Sequence, residues 1–131
     1  MNKKLFRLLK SIIASSLLLL FVACSSNNKR TLIQSVTGPA TVSPGEIWLS
    51  HEHLLVDFIG ADSIDAKRWN HDSVINATLN YLEEIKPHKV KYFVDATPAY
   101  LGRDVLLLEK IANRTGLTII TNTGFYGAVN N

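Results

Sequence analysis

His51 and His53 are the residues best placed by type and spacing to do chemistry. Two imidazoles two positions apart on a strand project from one face, because strand side chains alternate, and Ser50 and Glu52 then point to the other. Neutral imidazole is a good ligand for zinc and related ions, and a His-x-His pair can hold one ion from one side. As a short motif it is ambiguous, since two half-exposed strand histidines would look the same. The preceding residues argue for more. Ile47 and Leu49 share the histidines' parity, so the strand leaves an apolar interior, and buried imidazoles without partners would be costly. Asp95, near the end of the next strand, is placed to orient a ligand imidazole or to accept backbone N–H groups from the loop beyond. Phe125 and Tyr126 follow a third strand, where they line an apolar substrate pocket or pack within the loop. Arg103 and Asp104 read as a helix cap with a surface pair, and Trp48 as core or as barrel-exterior packing under a helix.

The elements that must position these residues alternate between strand and helix. Thr31 to Val36 reads as a short strand ended by Gly38-Pro39, and Ser43-Pro44-Gly45 as a turn. Glu46 to Val56 reads as a buried strand running into an apolar loop. Val74, Ile75, Thr78, Leu79, Leu82 and Ile85 recur at helical spacing, with Asp72 or Ser73 as the cap and Pro87 as the stop. Val90 to Ala96 is the next strand, Asp104 to Asn113 a second helix with Gly116 beyond it, and Leu117 to Thr121 a third strand. Buried strands separated by helices imply parallel pairing. A closed eight-stranded β/α barrel needs about 250 residues. Only 107 of the 131 residues follow Cys24, and no helix follows the third strand. The expected fold is therefore a small open α/β domain or the N-terminal portion, about three strands, of a TIM-type (β/α)8 barrel, and the missing third helix favours the barrel.

The first 24 residues read as a targeting segment. Lys3, Lys4, Arg7 and Lys10 precede a largely apolar run of Ser11 to Ala23 that is short for a membrane span and fits a secretory h-region. Phe21-Val22-Ala23-Cys24 resembles a bacterial lipobox, which makes Cys24 the expected lipidation site and new N-terminus. Residues 25–36 then form a polar tether and the start of the first strand, with residues 37–131 as the barrel portion. The expected location is the bacterial cell envelope, anchored to the membrane through an N-terminal lipid. The net charge of +3 comes from this segment: the first ten positions hold four of the 14 Lys and Arg residues, leaving ten against 11 acids. That balance gives no support for a nucleic-acid partner. With Cys24 the only cysteine, an intramolecular disulfide and a zinc ribbon are excluded. No Gly-x-Gly-x-x-Gly follows a strand, which excludes a dinucleotide-binding domain.

Gly38-Pro39 followed by Leu49-Ser50-His51-Glu52-His53-Leu54-Leu55-Val56-Asp57 resembles the opening of the phosphotriesterase-related family of the amidohydrolase superfamily. The resemblance runs on through Phe93 to Pro98, Leu101-Gly102-Arg103-Asp104-Val105, Thr115-Gly116 and Ile120 to Tyr126. It implies a (β/α)8 barrel with a two-metal centre, usually zinc, whose activated hydroxide hydrolyses phosphotriesters, carboxyl esters or lactones. His51 and His53 match the first two ligands of the more buried metal. The family's other ligands, a carboxylated Lys, two His and an Asp, belong to later strands. Lys91 lies on the second strand and Lys110 on a helix, while His71 and His88 flank a helix, so none takes those places. The expectation is a portion of a metal-dependent hydrolase, inactive alone, that acts on a small-molecule ester or lactone. The alternative is a non-catalytic exported lipoprotein module that keeps part of the barrel.

Overall fold

The computed structural model of the protein describes residues 30–125 together with Lys4 and Arg7. Cys24, the apolar run before it and Tyr126 lie outside the described residues. Met1–Arg30 and Thr31–Asn131 are separate units, and the second carries the fold. Among the described residues no helix is long and apolar enough to cross a membrane.

The second unit opens with a hairpin in which β1 (Leu32–Ser35) pairs antiparallel with β2 (Gly38–Thr41). Gly38-Pro39 was expected to end a strand; here the turn falls one step earlier, and Gly38 starts β2 with φ +112. The Ser35 hydroxyl donates to the Gly38 carbonyl at 2.7 Å and closes the turn. Pro39 is tolerated because a two-stranded ribbon leaves an outer edge that needs no donor. Beyond the hairpin come β3 (Ile47–Glu52), α1 (His71–Ile85), β4 (Val90–Asp95), α2 (Val105–Thr115) and β5 (Thr118–Thr121). The three later strands form one parallel sheet in the order β3-β4-β5.

Helix ends follow local chemistry. Asn70 caps α1 by accepting the Ser73 N–H at 3.0 Å, so the cap lies just before the expected Asp72 or Ser73. Asp104 caps α2 by accepting from Leu107 at 3.0 Å. Gly116 adopts the left-handed conformation expected of it, with φ +71, and donates to the Ala112 carbonyl. Pro87 sits in a short 3-10 turn directly after α1, where its missing N–H costs nothing.

One face of the sheet carries the core. Phe93 and Ile119 pair across β4 and β5 and pack with Ile75 and Leu82 of α1 and Leu107, Leu108 and Ile111 of α2. On the other face Trp48 stacks on Tyr92, with ring centroids 4.1 Å apart and planes 20° apart. Trp48 therefore packs on a strand neighbour rather than under a helix, because it pairs with Tyr92, one position out of phase with Phe93. The Tyr92 hydroxyl donates to the Thr41 carbonyl and accepts the Ser43 N–H at 2.7 Å, tying the hairpin's exit to the middle strand.

Among the described residues the outer edge of β3 has no strand beside it, and the outer edge of β5 is met only where Val36 donates to the Ile119 carbonyl at 2.9 Å. Unpaired edges on a short parallel sheet invite association. A purified chain of residues 25–131 is expected to melt without cooperativity or to aggregate. A cooperative thermal transition of a monomer in sedimentation and calorimetry would overturn that expectation.

Candidate metal-binding site at the strand ends

The histidine pair sits where β3 ends. Between Leu49 and Glu52 the register against β4 slips: Leu49 pairs with Phe93 and Glu52 with Asp95, so β3 spends one residue more than its partner. Leu49 and Glu52 therefore share the helix-facing side, and both line a cavity of about 290 Å³ against Leu82 of α1. His51 falls out of phase with Leu49, contrary to the parity read from an uninterrupted strand. His51 and His53 keep the same side as each other, their rings 5.2 Å apart between centroids and nearly perpendicular. Both are exposed rather than buried, and His53 also borders the cavity beside Thr78 and Tyr81 of α1.

The loops behind the pair are closely braced. Asp95, 1% exposed, accepts the Leu54 N–H on one carboxylate oxygen at 3.0 Å and the Thr97 N–H on the other at 2.9 Å. It is thus bonded to backbone, and the side chain that meets the imidazole is Thr97, whose Oγ1 lies 2.9 Å from His53 Nδ1. Thr97 carries no signal in the sequence beyond its place two residues after Asp95, which is why pattern reading passes over it.

Gly102-Arg103-Asp104 is the second brace. Gly102 has φ +107, a conformation side chains rarely adopt, so glycine is what lets the loop after β4 turn here, in van der Waals contact with the Asp57 backbone of the loop after β3. Arg103 is more than half of a surface pair: one guanidinium nitrogen donates to the carbonyls of Asn122 at 2.8 Å and Gly124 at 3.1 Å, tying the loop after β4 to the loop after β5. Asn122 completes the tie by donating to the Thr97 carbonyl at 2.9 Å. These bonds bring Tyr100 and Phe125 together, with ring centroids 5.4 Å apart, as an exposed aromatic pair on neighbouring loops.

Asp104 does more than cap α2. Its second oxygen accepts the Trp69 indole N–H at 2.9 Å and the His71 Nε2 at 2.7 Å, fixing the segment that leads into α1. Lys110 Nζ lies 3.0 Å from the other ring nitrogen of His71. Burial raises the affinity of Asp104 for a proton, but the Leu107 N–H, the Trp69 indole and His71 together outweigh it, holding the carboxyl below its ordinary value of 3.8. In the loop after β3, Arg68 lies 2.7 Å from Asp57 and lowers that carboxyl also, against a smaller opposing effect of burial.

Two imidazoles with nitrogen donors suit zinc, but a zinc site takes four ligands. Among the described residues no three His, Cys, Asp or Glu side chains come together. The pair is therefore the kind of donor set that fits part of a metal centre.

A parallel β/α sheet with donor side chains at the C-terminal ends of its strands is the arrangement in which barrel hydrolases build their sites. The Phosphotriesterase family profile matches residues 31–130, and the chain belongs to that family. It is 32% identical over 78 residues to an aryldialkylphosphatase of Saccharolobus solfataricus, a stretch of 60% of this chain and 25% of that protein. Among solved structures, an enzyme engineered for organophosphate hydrolysis from a weak promiscuous lactonase superposes with a TM-score of 0.63 at 28% identity, over 72% of this chain and 31% of that one. A mutant organophosphorus hydrolase from Deinococcus radiodurans superposes with a TM-score of 0.64 at 25% identity, over 76% and 30%. The α/β fold is thus part of a TIM-type barrel, and the chain spans about a quarter to a third of the length of these relatives.

Because the folded Asp104 carboxyl titrates below 3.8, its contribution to stability is complete above that pH and is lost as acidification passes through the lower folded value. Asp104→Asn keeps a cap acceptor but cannot accept from both Trp69 and His71. It is expected to destabilise by about 1–3 kcal/mol near neutral pH, with the gap to wild type closing in acid. Denaturant titrations followed by tryptophan fluorescence at both pH values check this; a gap independent of pH would show that the carboxylate charge does not matter.

Proposed function

We propose that the protein is a metal-dependent hydrolase of small-molecule phosphotriesters, carboxyl esters or lactones, with His51 and His53 holding zinc. The observation that carries this reading is the pair of imidazoles on one side at the C-terminal end of a parallel strand, 5.2 Å apart, in a chain of the phosphotriesterase family. The relatives' names and descriptions, an aryldialkylphosphatase and organophosphate-hydrolysing enzymes, support the substrate class. The chemistry an ion supplies in such a place is polarisation of the ester oxygen and acidification of water towards neutral pH. This chain's residues do the holding. His51 and His53 present imidazole nitrogens, and the backbone bonds of Asp95 fix where His53 leaves the strand. Tyr100 and Phe125 offer an apolar wall on the neighbouring loops for an ester's organic group. The remaining ligands of a two-metal centre are not among the described residues.

In a full-length protein that carries the barrel's later strands, His51→Ala and His53→Ala are each expected to lower bound zinc and hydrolysis of an aryl dialkyl phosphate or a lactone together. Metal analysis and turnover on the same preparations check this. Zinc content equal to wild type in both variants would remove the ligand assignment, and a wild-type chain that binds no zinc would favour a non-catalytic module.

The reading extends to location: the basic n-region, the apolar run and Cys24 support export and lipid anchoring at the cell envelope. Incorporation of labelled fatty acid into wild type and its loss in Cys24→Ala is the expected result. Labelling that survives the substitution would refute anchoring through Cys24.

A further inference from the structure

The hydroxyl of Thr97 lies between two partners. It is 3.3 Å from the Leu55 carbonyl, to which it donates, and 2.9 Å from His53 Nδ1. A threonine hydroxyl has one hydrogen. With that hydrogen on the Leu55 carbonyl, the contact to the imidazole requires Nδ1 to be the donor, which leaves the lone pair of the neutral ring on Nε2. The alternative, in which Thr97 donates to Nδ1, takes the bond from the Leu55 carbonyl and puts the ring hydrogen on Nε2, the nitrogen that would face a metal.

Thr97 is well placed to impose this choice. Its residue is 1% exposed, so water cannot readily substitute for the hydroxyl. Its N–H is held by Asp95 at 2.9 Å and its carbonyl by the Asn122 amide at 2.9 Å. Asp95 also holds the Leu54 N–H, next to His53, so the imidazole and the hydroxyl are anchored to the same carboxylate. Histidine ligands need their second nitrogen engaged to fix ring orientation and tautomer.

We propose that Thr97 is a positioning residue that holds His53 as the Nδ1–H tautomer and so presents Nε2 as the metal donor. The inference rests on the reading of His53 as a ligand, but its first consequence belongs to the protein without metal. In the full, metal-free chain labelled with nitrogen-15 histidine, the His53 ring is expected to show a protonated Nδ1 and an unprotonated Nε2. Thr97→Val removes the acceptor at similar volume and is expected to shift the ring towards the Nε2–H form. Cobalt(II) titration followed by its visible absorption is expected to give about 10–100-fold weaker binding in Thr97→Val, with Thr97→Ser restoring most of it. A wild-type His53 protonated on Nε2 would overturn the proposal without reference to any variant, and so would Thr97→Val with unchanged tautomer and cobalt affinity. A wild type with the expected tautomer that binds no cobalt would instead sink the metal-site reading and leave the role of Thr97 in setting the tautomer standing.

Discussion

A buried carboxylate needs hydrogen-bond donors on its oxygens, and at Asp95 these are backbone N–H groups from two different strand exits. One oxygen takes Leu54, just beyond β3, and the other takes Thr97, just beyond β4, while the Ala96 N–H reaches across to the Glu52 carbonyl at 2.8 Å. Two parallel strands can diverge freely past their last ladder bond. Here they cannot, and the place where they are pinned is next to His53. The seat of Thr97, which meets the imidazole, and the course of both loops follow from that one acceptor.

A second carboxylate does related work on the helix side. Asp104 is shared between the first turn of α2, the Trp69 indole and His71 at the start of α1, so one group caps one helix and anchors the approach to the other. Arg103, its neighbour, points the opposite way and ties the loop after β4 to the loop after β5. Gly102 lets the same segment lie against the Asp57 backbone. Three consecutive residues thus hold three loops in order, which is a sufficient physical reason for a Gly-Arg-Asp segment at this point of the fold. It also explains how an exposed aromatic pair, Tyr100 with Phe125, keeps a defined arrangement on loops with little covering them.

The open face of the sheet separates what is built here from what is not. The helix-covered side has a continuous core from Ile75 to Ile119. The other side has the Trp48–Tyr92 stack, and the two histidines stand exposed at the strand's end. A site assembled from strand ends around a barrel draws its ligands from several strands. His51 near the end of β3 and His53 just beyond it are consistent with that division of labour.

Much of this was legible in the sequence. The alternation of apolar runs with helical spacing, Pro87, Gly116 and the Ser43-Pro44-Gly45 turn set the order of elements, because these signals act over a few residues and need no distant partner. The His-x-His pair and the shared side of its rings were equally local. The hairpin of β1 and β2 was missed because Gly38-Pro39 reads as a stop, yet an antiparallel ribbon has room for both. The bulge that puts His51 out of phase with Leu49 depends on the register against β4, a strand some forty residues away, so no count along β3 alone reveals it. Thr97 and the bracing by Arg103 were invisible for the same reason. Residue type and spacing determine which groups are able to bind or bond, but which of them meet is decided by strand pairing and loop closure across the whole unit.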